Sequence, residues 1–410
     1  MEYLKSFLQK EKSHFNRLDR QAQKLLGSIT LYYFIGPIFG IFIDAFIWRQ
    51  SHDPILVSFY NIILFIGIPI GFYLNGLLLR KYTPNILQFV GLFVGGLVVA
   101  ILIFLPKLSY TSVMIYGLID GIAGGLYWAN RNLLTLKTTT SENRIYFSGI
   151  ESIINTYSKI LIPVLIGWFL ILGTKTHLYS TIQGYKVIGV IMMFVICMAG
   201  FVMMTLRIKH ASYQQLLLKT VSENWKKFRL LQIVLGFMQG ITSVLPTLMV
   251  LILLGKEDTL GTIQSLSSIL TAIVVYFLAK RLKVQHRVRL LEISFVLGLI
   301  GAVSFSIFYS GLGVLIFYAA QAIMQPFIWM ATSSINYDLI DEDKNNETHY
   351  AYISDQELYL NGGRIAAITL FVIFIQLFSN ETALRYTPLL FAFAQIFMQL
   401  LARSIDKKAS

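Results

Sequence analysis

A series of twelve long apolar stretches, separated by short polar segments, constrains this sequence more than any other feature. A helix needs about 20 predominantly apolar residues to cross the hydrocarbon core of a bilayer, where its backbone polar groups must be satisfied internally. The pattern therefore predicts an all-α integral membrane protein with twelve transmembrane helices. We place them at about 25–47, 54–79, 86–105, 110–135, 147–172, 185–206, 229–254, 259–280, 288–310, 311–336, 353–378 and 382–402.

The composition agrees with a membrane protein. Only 13% of the 410 residues are charged, against about 25% in a typical soluble domain. The formal net charge of +13 does not indicate nucleic-acid binding, because the basic residues lie in short segments beside apolar ones. That placement is typical of contact with a lipid bilayer. The single cysteine, Cys197, excludes a disulfide framework within the chain.

The distribution of lysine and arginine predicts the orientation. They are concentrated in the N-terminal segment, in the C-terminal tail and in the segments after the even-numbered spans. Because short cytoplasmic loops carry the excess of basic residues, we expect both termini in the cytoplasm and the protein in the plasma (inner) membrane as a multi-pass protein. The N-terminus has no short apolar core typical of a cleavable signal peptide.

A repeated polar motif divides the chain into two similar parts. Tyr146 to Asn155 and Tyr352 to Asn361 both read Y-x-S-x-x-E-x-x-x-N, and the two copies are 206 residues apart. The motif follows the fourth predicted span in one part and the tenth in the other. It predicts a duplication, with two six-helix bundles related by a parallel pseudo-two-fold axis.

The predicted organisation has five segments. They are an amphipathic cytoplasmic N-terminal segment (1–24), an N-terminal six-helix bundle (25–206), a cytoplasmic linker with an interfacial helix (207–228), a C-terminal six-helix bundle (229–402) and a cytoplasmic tail (403–410). Glycines spaced by four residues predict close helix packing, at Gly36/Gly40, Gly67/Gly71, Gly91/Gly95, Gly117/Gly121/Gly125 and Gly236/Gly240.

Twelve helices in two halves, with both termini inside and a basic central loop, resemble the major facilitator superfamily. The superfamily's motif after helix 2, roughly G-x-L-x-D-R-x-G-R-R, corresponds here to the stretch from Gly76 to Pro84. Arg80 stands at the acidic position and Thr83 at the second glycine, so the stretch matches only in part. The resemblance implies alternating access to a site near the bilayer midplane, between the halves.

Ionisable residues inside spans are costly and are candidates for function. Arg131 and Glu151 lie at similar depth on adjacent helices, which predicts an ion pair. Lys159 and Arg364 lie near the midplane in nearly equivalent positions of the two halves, beside Asp120. We expect Lys159 and Arg364 to bind an anionic or hydroxyl-rich solute from opposite sides. The same charges are also consistent with pairing that only holds helices together.

Amides and aromatic rings complete the candidate set, because a sugar would stack on the rings and bond to the amides. The predicted substrate-binding residues are Asp120, Tyr127, Trp128, Lys159, Gln239, Gln325, Trp329 and Arg364. The predicted coupling or gating residues are Asp44, Arg131, Glu151, Asn155, Glu357 and Asn361. Tyrosine and tryptophan are also common at membrane interfaces and in packing.

The leading hypothesis is a monomeric, proton-coupled secondary transporter of a small polar solute, either an organic anion or sugar-like. The expected partners are the solute, a proton or other coupling ion, and the lipid bilayer. A drug or lipid exporter of the same fold is an alternative, and it would need an apolar cavity without these cations. A membrane enzyme or a non-transporting sensor is an alternative of another class. The six histidines are scattered, and no nucleotide, metal or nucleophile motif occurs. We therefore expect no catalytic site, no metal and no cofactor.

Overall fold

A computed structural model describes residues 15, 18–208, 216, 218, 221–279, 287–341 and 349–405. These residues form twelve long helices, which confirms the predicted fold class. They are α1 (Arg20–Ser51), α2 (Pro54–Leu78), α3 (Pro84–Phe104), α4 (Tyr110–Thr138), α5 (Ser141–Lys175), α6 (Thr181–Met204), α7 (Glu223–Leu253), α8 (Glu257–Ala279), α9 (Arg287–Ile307), α10 (Gly311–Asp341), α11 (His349–Leu377) and α12 (Asn380–Ile405).

Several helices continue beyond the apolar stretches from which they were predicted. The α5 helix has 35 residues, which corresponds to about 52 Å, whereas the hydrocarbon core is about 30 Å thick. Local capping sets such ends rather than hydropathy. At the start of α7, the Ser222 hydroxyl accepts a hydrogen bond from the Trp225 backbone N–H at 3.1 Å.

The fourth helix, α4, differs from the others in composition. Among the described residues, eleven helices contain an apolar window sufficient to cross a membrane, and α4 is not one of them. It carries Asp120, Asn130 and Arg131 within its length and packs closely against α2 and α3. A polar helix is tolerated at membrane depth where the protein itself surrounds it.

The helices form two six-helix halves that pack in equivalent ways. In the N-terminal half (α1–α6), α3 packs against α4 and α6; in the C-terminal half (α7–α12), α9 packs against α10 and α12. The main contacts between the halves are α2 with α11 and α5 with α8. In a parallel duplication, α2 corresponds to α8 and α5 corresponds to α11. The α2–α11 contact is therefore the counterpart of the α5–α8 contact, as such a duplication requires.

We call the end of the bundle where α1 begins and α12 ends the termini face, and the other end the opposite face. The Lys24 ammonium donates to the Thr205 carbonyl at 3.0 Å, and the Lys227 ammonium donates to the Ser404 carbonyl at 3.2 Å. The starts of α1 and α7 therefore lie beside the ends of α6 and α12 at this face.

Close glycine contacts occur at several of the predicted pairs, but not at all of them. Gly67 and Gly71 of α2 lie against Gly121 and Gly125 of α4 so closely that a Cβ atom at any of the four would collide with the facing backbone. A Cβ atom at Gly36 would meet no atom within 4 Å, and the same holds at Gly40. Gly36 and Gly40 therefore border open space rather than a neighbouring helix.

A π-helical turn interrupts α1 halfway along its length. It spans Ile38–Phe42 and follows Pro37, which lacks a backbone N–H and disturbs the regular hydrogen-bond ladder. The turn contains Phe39 and Gly40 and ends two residues before Asp44.

Parts of the predicted linker and termini lie outside the described residues. These are 1–14, most of 209–220, the acidic stretch 342–348 and the end of the tail, 406–410. Where the interfacial linker helix was expected, residues 223–230 form the first turns of α7. Trp225 and Phe228 are buried there, at 1% and 0% exposure. The Trp225 indole N–H donates to the Asp355 carboxylate of α11 at 2.8 Å.

Candidate functional site

A cavity of about 1120 Å³ lies between the two halves. Its walls come from α1, α2 and α5 of the N-terminal half and from α7, α8 and α10 of the C-terminal half. Most of the polar side chains on these walls carry hydroxyls or amides. They include Asn61, Ser152, Asn155, Thr156, Thr242, Ser243, Thr247, Gln264, Ser267, Ser268, Thr271, Gln321 and Gln325.

Two charged side chains, Lys159 and Asp44, line this large cavity. Lys159 of α5 is accessible from it and has no hydrogen bond or ion pair with any residue in the described part of the chain. Asp44 of α1 is buried, and its Oδ1 accepts a hydrogen bond from the Asn61 amide at 2.8 Å. The cavity therefore offers a cation without a protein partner and, on another wall, a carboxylate held by an amide.

The large cavity is closed at the opposite face by contacts between the halves. The Arg49 guanidinium donates two hydrogen bonds to the Glu257 carboxylate, at 2.7 and 2.6 Å, and the Glu257 side chain is completely buried. Beside this pair, Gly167 of α5 lies against the Glu257 backbone of α8, and Gly261 of α8 lies against the Pro163 backbone of α5.

The same two helices separate towards the termini face. There the cavity wall reaches Ile153 and Tyr157 on α5 and Tyr276 on α8, and these side chains are 56%, 62% and 59% exposed. The α2–α11 contact stays closed at this face. The Tyr350 hydroxyl donates to the Phe72 carbonyl at 2.7 Å and accepts from the Asn75 amide at 3.1 Å.

A smaller cavity of about 260 Å³ lies within the N-terminal half. Asp120 lines this small cavity and is buried, and its Oδ2 accepts a hydrogen bond from the Tyr60 hydroxyl at 2.6 Å. Tyr127 and Trp128 of α4 also line this cavity. Tyr32 of α1 stacks on Tyr127 with ring centroids 4.2 Å apart.

Arg131 and Glu151 form an ion pair at the termini-face side of the small cavity. Glu151 also accepts a hydrogen bond from the Tyr33 hydroxyl at 2.7 Å. The Arg131 guanidinium lies 6.0 Å from the Trp128 ring centre. This network joins α1, α4 and α5 and leaves neither of its charges without a partner.

Arg364 lies at the packed α7–α11 contact and not among the residues that line the large cavity. Its Nε and Nη2 donate to Gln239 at 3.0 and 2.5 Å, and its Nη1 donates to Asn361 at 2.9 Å. The ring of Phe65, 5.0 Å away, is part of the cavity wall. The Asn361 amide in turn donates to Glu357 at 3.2 Å.

The register of the repeat explains why Lys159 and Arg364 have different surroundings. An offset of 206 residues relates Arg364 to Ser158, not to Lys159. One residue along an α-helix rotates a side chain by about 100°, so Lys159 faces the cavity while Arg364 faces α7. The expectation that they flank one solute from opposite sides does not match this arrangement. Trp329 is 65% exposed and lines neither cavity.

Several residues of the large cavity were missed from the sequence. The clearest are Gln264, Ser267 and Thr271 on α8, whose spacing of three and four residues is that of one helix face. A polar stripe on an apolar span is a signal that the sequence does contain. Arg49 and Glu257 left no such signal, because each appears as an ordinary charge near the end of a span.

The chain resembles known proteins over most of its length. No protein-family model matches it. It is 25% identical over 354 residues to the uncharacterized protein YqgE of Bacillus subtilis (strain 168), an alignment that covers 84% of this chain and 80% of that protein.

Two solved structures share the arrangement of the helices. A bacterial homologue of the iron transporter ferroportin in its inward-facing state has a TM-score of 0.69 and 14% identity, covering 94% of this chain and 98% of that chain. The nucleoside transporter NupG has a TM-score of 0.67 and 13% identity, covering 95% and 100%. Together with the twelve helices in two equivalent halves, these similarities show that the chain has the major facilitator superfamily fold.

Proposed function

We propose that the protein is a secondary active transporter that moves a small polar solute across the plasma membrane by alternating access. The observation that carries this proposal is the large cavity between the halves, in which Lys159 has no partner among the described residues. An unpaired cation at membrane depth is costly. A bound solute with a carboxylate, a phosphate or several hydroxyls would offset that cost.

The charged, hydroxyl and amide groups in the cavity favour a polar solute over the drugs or lipids that an exporter of the same fold would carry. Sites for small molecules are mostly apolar, and a few well-placed polar or charged groups determine which solute they accept. Here hydroxyls and amides from five helices, α2, α5, α7, α8 and α10, line the cavity together with Lys159 and Asp44. An organic anion and a sugar-like solute both fit this lining, and the cation on α5 favours the anion.

The closed opposite face and the separated ends of α5 and α8 support alternating access. In this interpretation the solute exchanges with the termini face in the present state. The distribution of basic residues supports a cytoplasmic location for that face. Both walls of the cavity come from one chain, which supports a monomer as the transporting unit.

Uptake by proteoliposomes tests the proposal. The purified protein is given a panel of labelled organic anions and sugars, with and without a pH gradient. Lys159→Ala should reduce uptake of the accepted solute roughly 10- to 100-fold, the range expected for loss of a charge-assisted hydrogen bond. Lys159→Arg, which keeps the charge, should retain part of the activity.

Lys175→Ala is the matched control, because Lys175 lies at the far end of the same helix and is exposed. It should transport normally. If no solute of the panel is taken up, or if Lys159→Ala transports at the normal rate, the proposed role of the large cavity is wrong.

A further inference from the structure

The small cavity in the N-terminal half has no role in the function proposed for the large cavity. It is enclosed by α1, α2, α3 and α4, all from one half, so it does not lie between the halves. Phe39, Gly40 and Leu64 line both cavities. The π-helical turn of α1 therefore forms part of the partition between them.

Asp120 is the one charged residue among the described residues that line the small cavity. The nearest cation in the surroundings described above, Arg131, is already paired with Glu151. Asp120 is 6% exposed, and only its Oδ2 has a hydrogen-bond partner, the Tyr60 hydroxyl. Its Oδ1 borders the cavity, since a Cβ atom at the lining residue Gly95 would lie 3.1 Å from it.

Three aromatic rings complete the wall of the cavity beside this carboxylate. Tyr32, Tyr127 and Trp128 line the cavity. Trp128 meets the other two rings edge-on, with centroid distances of 5.7 and 5.3 Å. The faces of aromatic rings carry negative partial charge and attract cations, most strongly in sites shielded from water.

Glycines in the wall contribute to the volume of the small cavity. A Cβ atom at Gly36, Gly40 or Gly124 would meet no atom within 4 Å, and all three glycines line the cavity. The space next to Asp120 is therefore bordered by residues without side chains, which leaves room for a small ion with some of its water.

We propose that the small cavity binds a monovalent cation, with Asp120 as its counter-ion and the three rings as its apolar wall. The cation is either an alkali metal ion or a small ammonium group. If the transport function proposed above holds, this site binds the coupling ion. Only this coupling role rests on the proposed transport function; the binding of a cation does not. The site communicates with the solute through Phe39 and the π-helical turn.

Binding is tested without transport, by thermal unfolding of the purified protein in detergent. LiCl, NaCl, KCl and tetramethylammonium chloride are titrated separately at constant ionic strength. A ligand that binds only the folded state raises the Tm in a saturable way, so at least one of these cations should do so. An alkali ion alone identifies a metal-ion site, and tetramethylammonium alone identifies an ammonium site.

Three variants locate the effect. Asp120→Asn should abolish the cation-dependent rise in Tm. Gly36→Val should weaken apparent affinity at least about 10-fold by filling the cavity, a loss of about 1.4 kcal/mol. Gly27→Val is the matched control on the same helix, because Gly27 also has no atom near its Cβ position but does not line the cavity. It should respond as the unchanged protein does.

If no cation gives a saturable rise, or if the rise persists in both Asp120→Asn and Gly36→Val, the site does not exist. Should Asp120→Asn fail to fold, Gly36→Val and its control still decide the question. Cation binding without solute uptake in proteoliposomes would leave this site standing and remove the proposed transport function. Solute uptake without cation binding would support the proposed transport function and remove the proposed cation site.

Discussion

Charged residues at membrane depth occupy three different local environments in this protein. Lys159 is open to the large cavity, Arg131 is paired with Glu151, and Arg364 is held by the amides of Gln239 and Asn361. Sequence position alone made these cations look similar. The groups that surround each one determine whether it is available to a solute or serves to hold helices together.

The Arg131–Glu151 pair should contribute mainly to stability. Glu151→Gln leaves the partly buried Arg131 without its counter-ion and should reduce the free energy of unfolding by about 2–4 kcal/mol, since breaking such pairs is costly. The double variant Arg131→Gln/Glu151→Gln should recover more than half of that loss. Thermal unfolding of Glu151→Gln, Arg131→Gln and the double variant measures the coupling between the two residues.

Glu223→Gln is the control for that comparison. Glu223 also pairs with a basic residue, Lys226, but both side chains are exposed, and exposed pairs contribute little. Its Tm should be unchanged. Independent, additive effects of Arg131→Gln and Glu151→Gln would contradict a stabilising pair.

At the scale of the helices, the α5–α8 contact determines which end of the large cavity is closed. The two helices touch near the opposite face because Gly167 and Gly261 have no side chains there. They diverge towards the termini face, where larger side chains such as Tyr157 and Tyr276 line the cavity. Small residues at a contact between transmembrane helices allow the backbones to approach closely.

Adding side-chain volume at this contact should open the opposite face. Gly261→Val places two methyl groups against the Pro163 backbone, and overpacking of this kind costs about 1–3 kcal/mol. We expect Thr247→Cys, which lines the cavity and is 4% exposed in the native chain, to become reactive to an impermeant maleimide from that face. The measurement uses a Cys197→Ser background, because Cys197 is exposed.

Gly149→Val is the matched substitution, since Gly149 lies on α5 with no atom within 4 Å of its Cβ position. It should leave labelling at the level of the parent. Equal labelling of the Gly261→Val and Gly149→Val proteins would show that the contact does not control access.

At the scale of the whole molecule, an ion pair between Arg49 and Glu257 joins the halves across the opposite face. Arg49 lies in the last turn of α1 and Glu257 begins α8, 208 positions apart in the sequence. The bond is bidentate, and the carboxylate is completely buried. Such a pair stabilises the state with this face closed, and it must break if the halves are to separate here.

Glu257→Gln should therefore shift the protein towards a state open at the opposite face. Loss of a charge-assisted bond of about 1.5–3 kcal/mol corresponds to a change of roughly 10- to 100-fold in the ratio of the two states. Spin labels on Ser51→Cys and Lys256→Cys, again with Cys197→Ser, should show a longer distance. The exchanged pair Arg49→Glu/Glu257→Arg should restore the short one.

An unchanged distance in Glu257→Gln would mean that the ion pair does not contribute to closure. If the exchanged pair fails to restore the short distance while Glu257→Gln lengthens it, the geometry of the guanidinium fork matters beyond its charge.

The sequence by itself determined the membrane class, the number of helices and the division into two halves. Hydropathy depends on local composition, and the repeat depends on a fixed offset, so neither needs tertiary information. The repeat even contained the register that separates Lys159 from Arg364, because position 364 corresponds to position 158. The polar stripe on α8 was likewise present in the sequence.

Only the tertiary structure decided which side chains share a space. The Arg49–Glu257 pair and the partition of Asp44 and Asp120 into separate cavities depend on how helices distant in sequence cross and rotate. A rotation of one residue changes the direction of a side chain by about 100°, while hydropathy averages over whole helices and is insensitive to it. The halves were thus readable from the sequence, whereas the two cavities arise from the packing of α1, α4, α5 and α8.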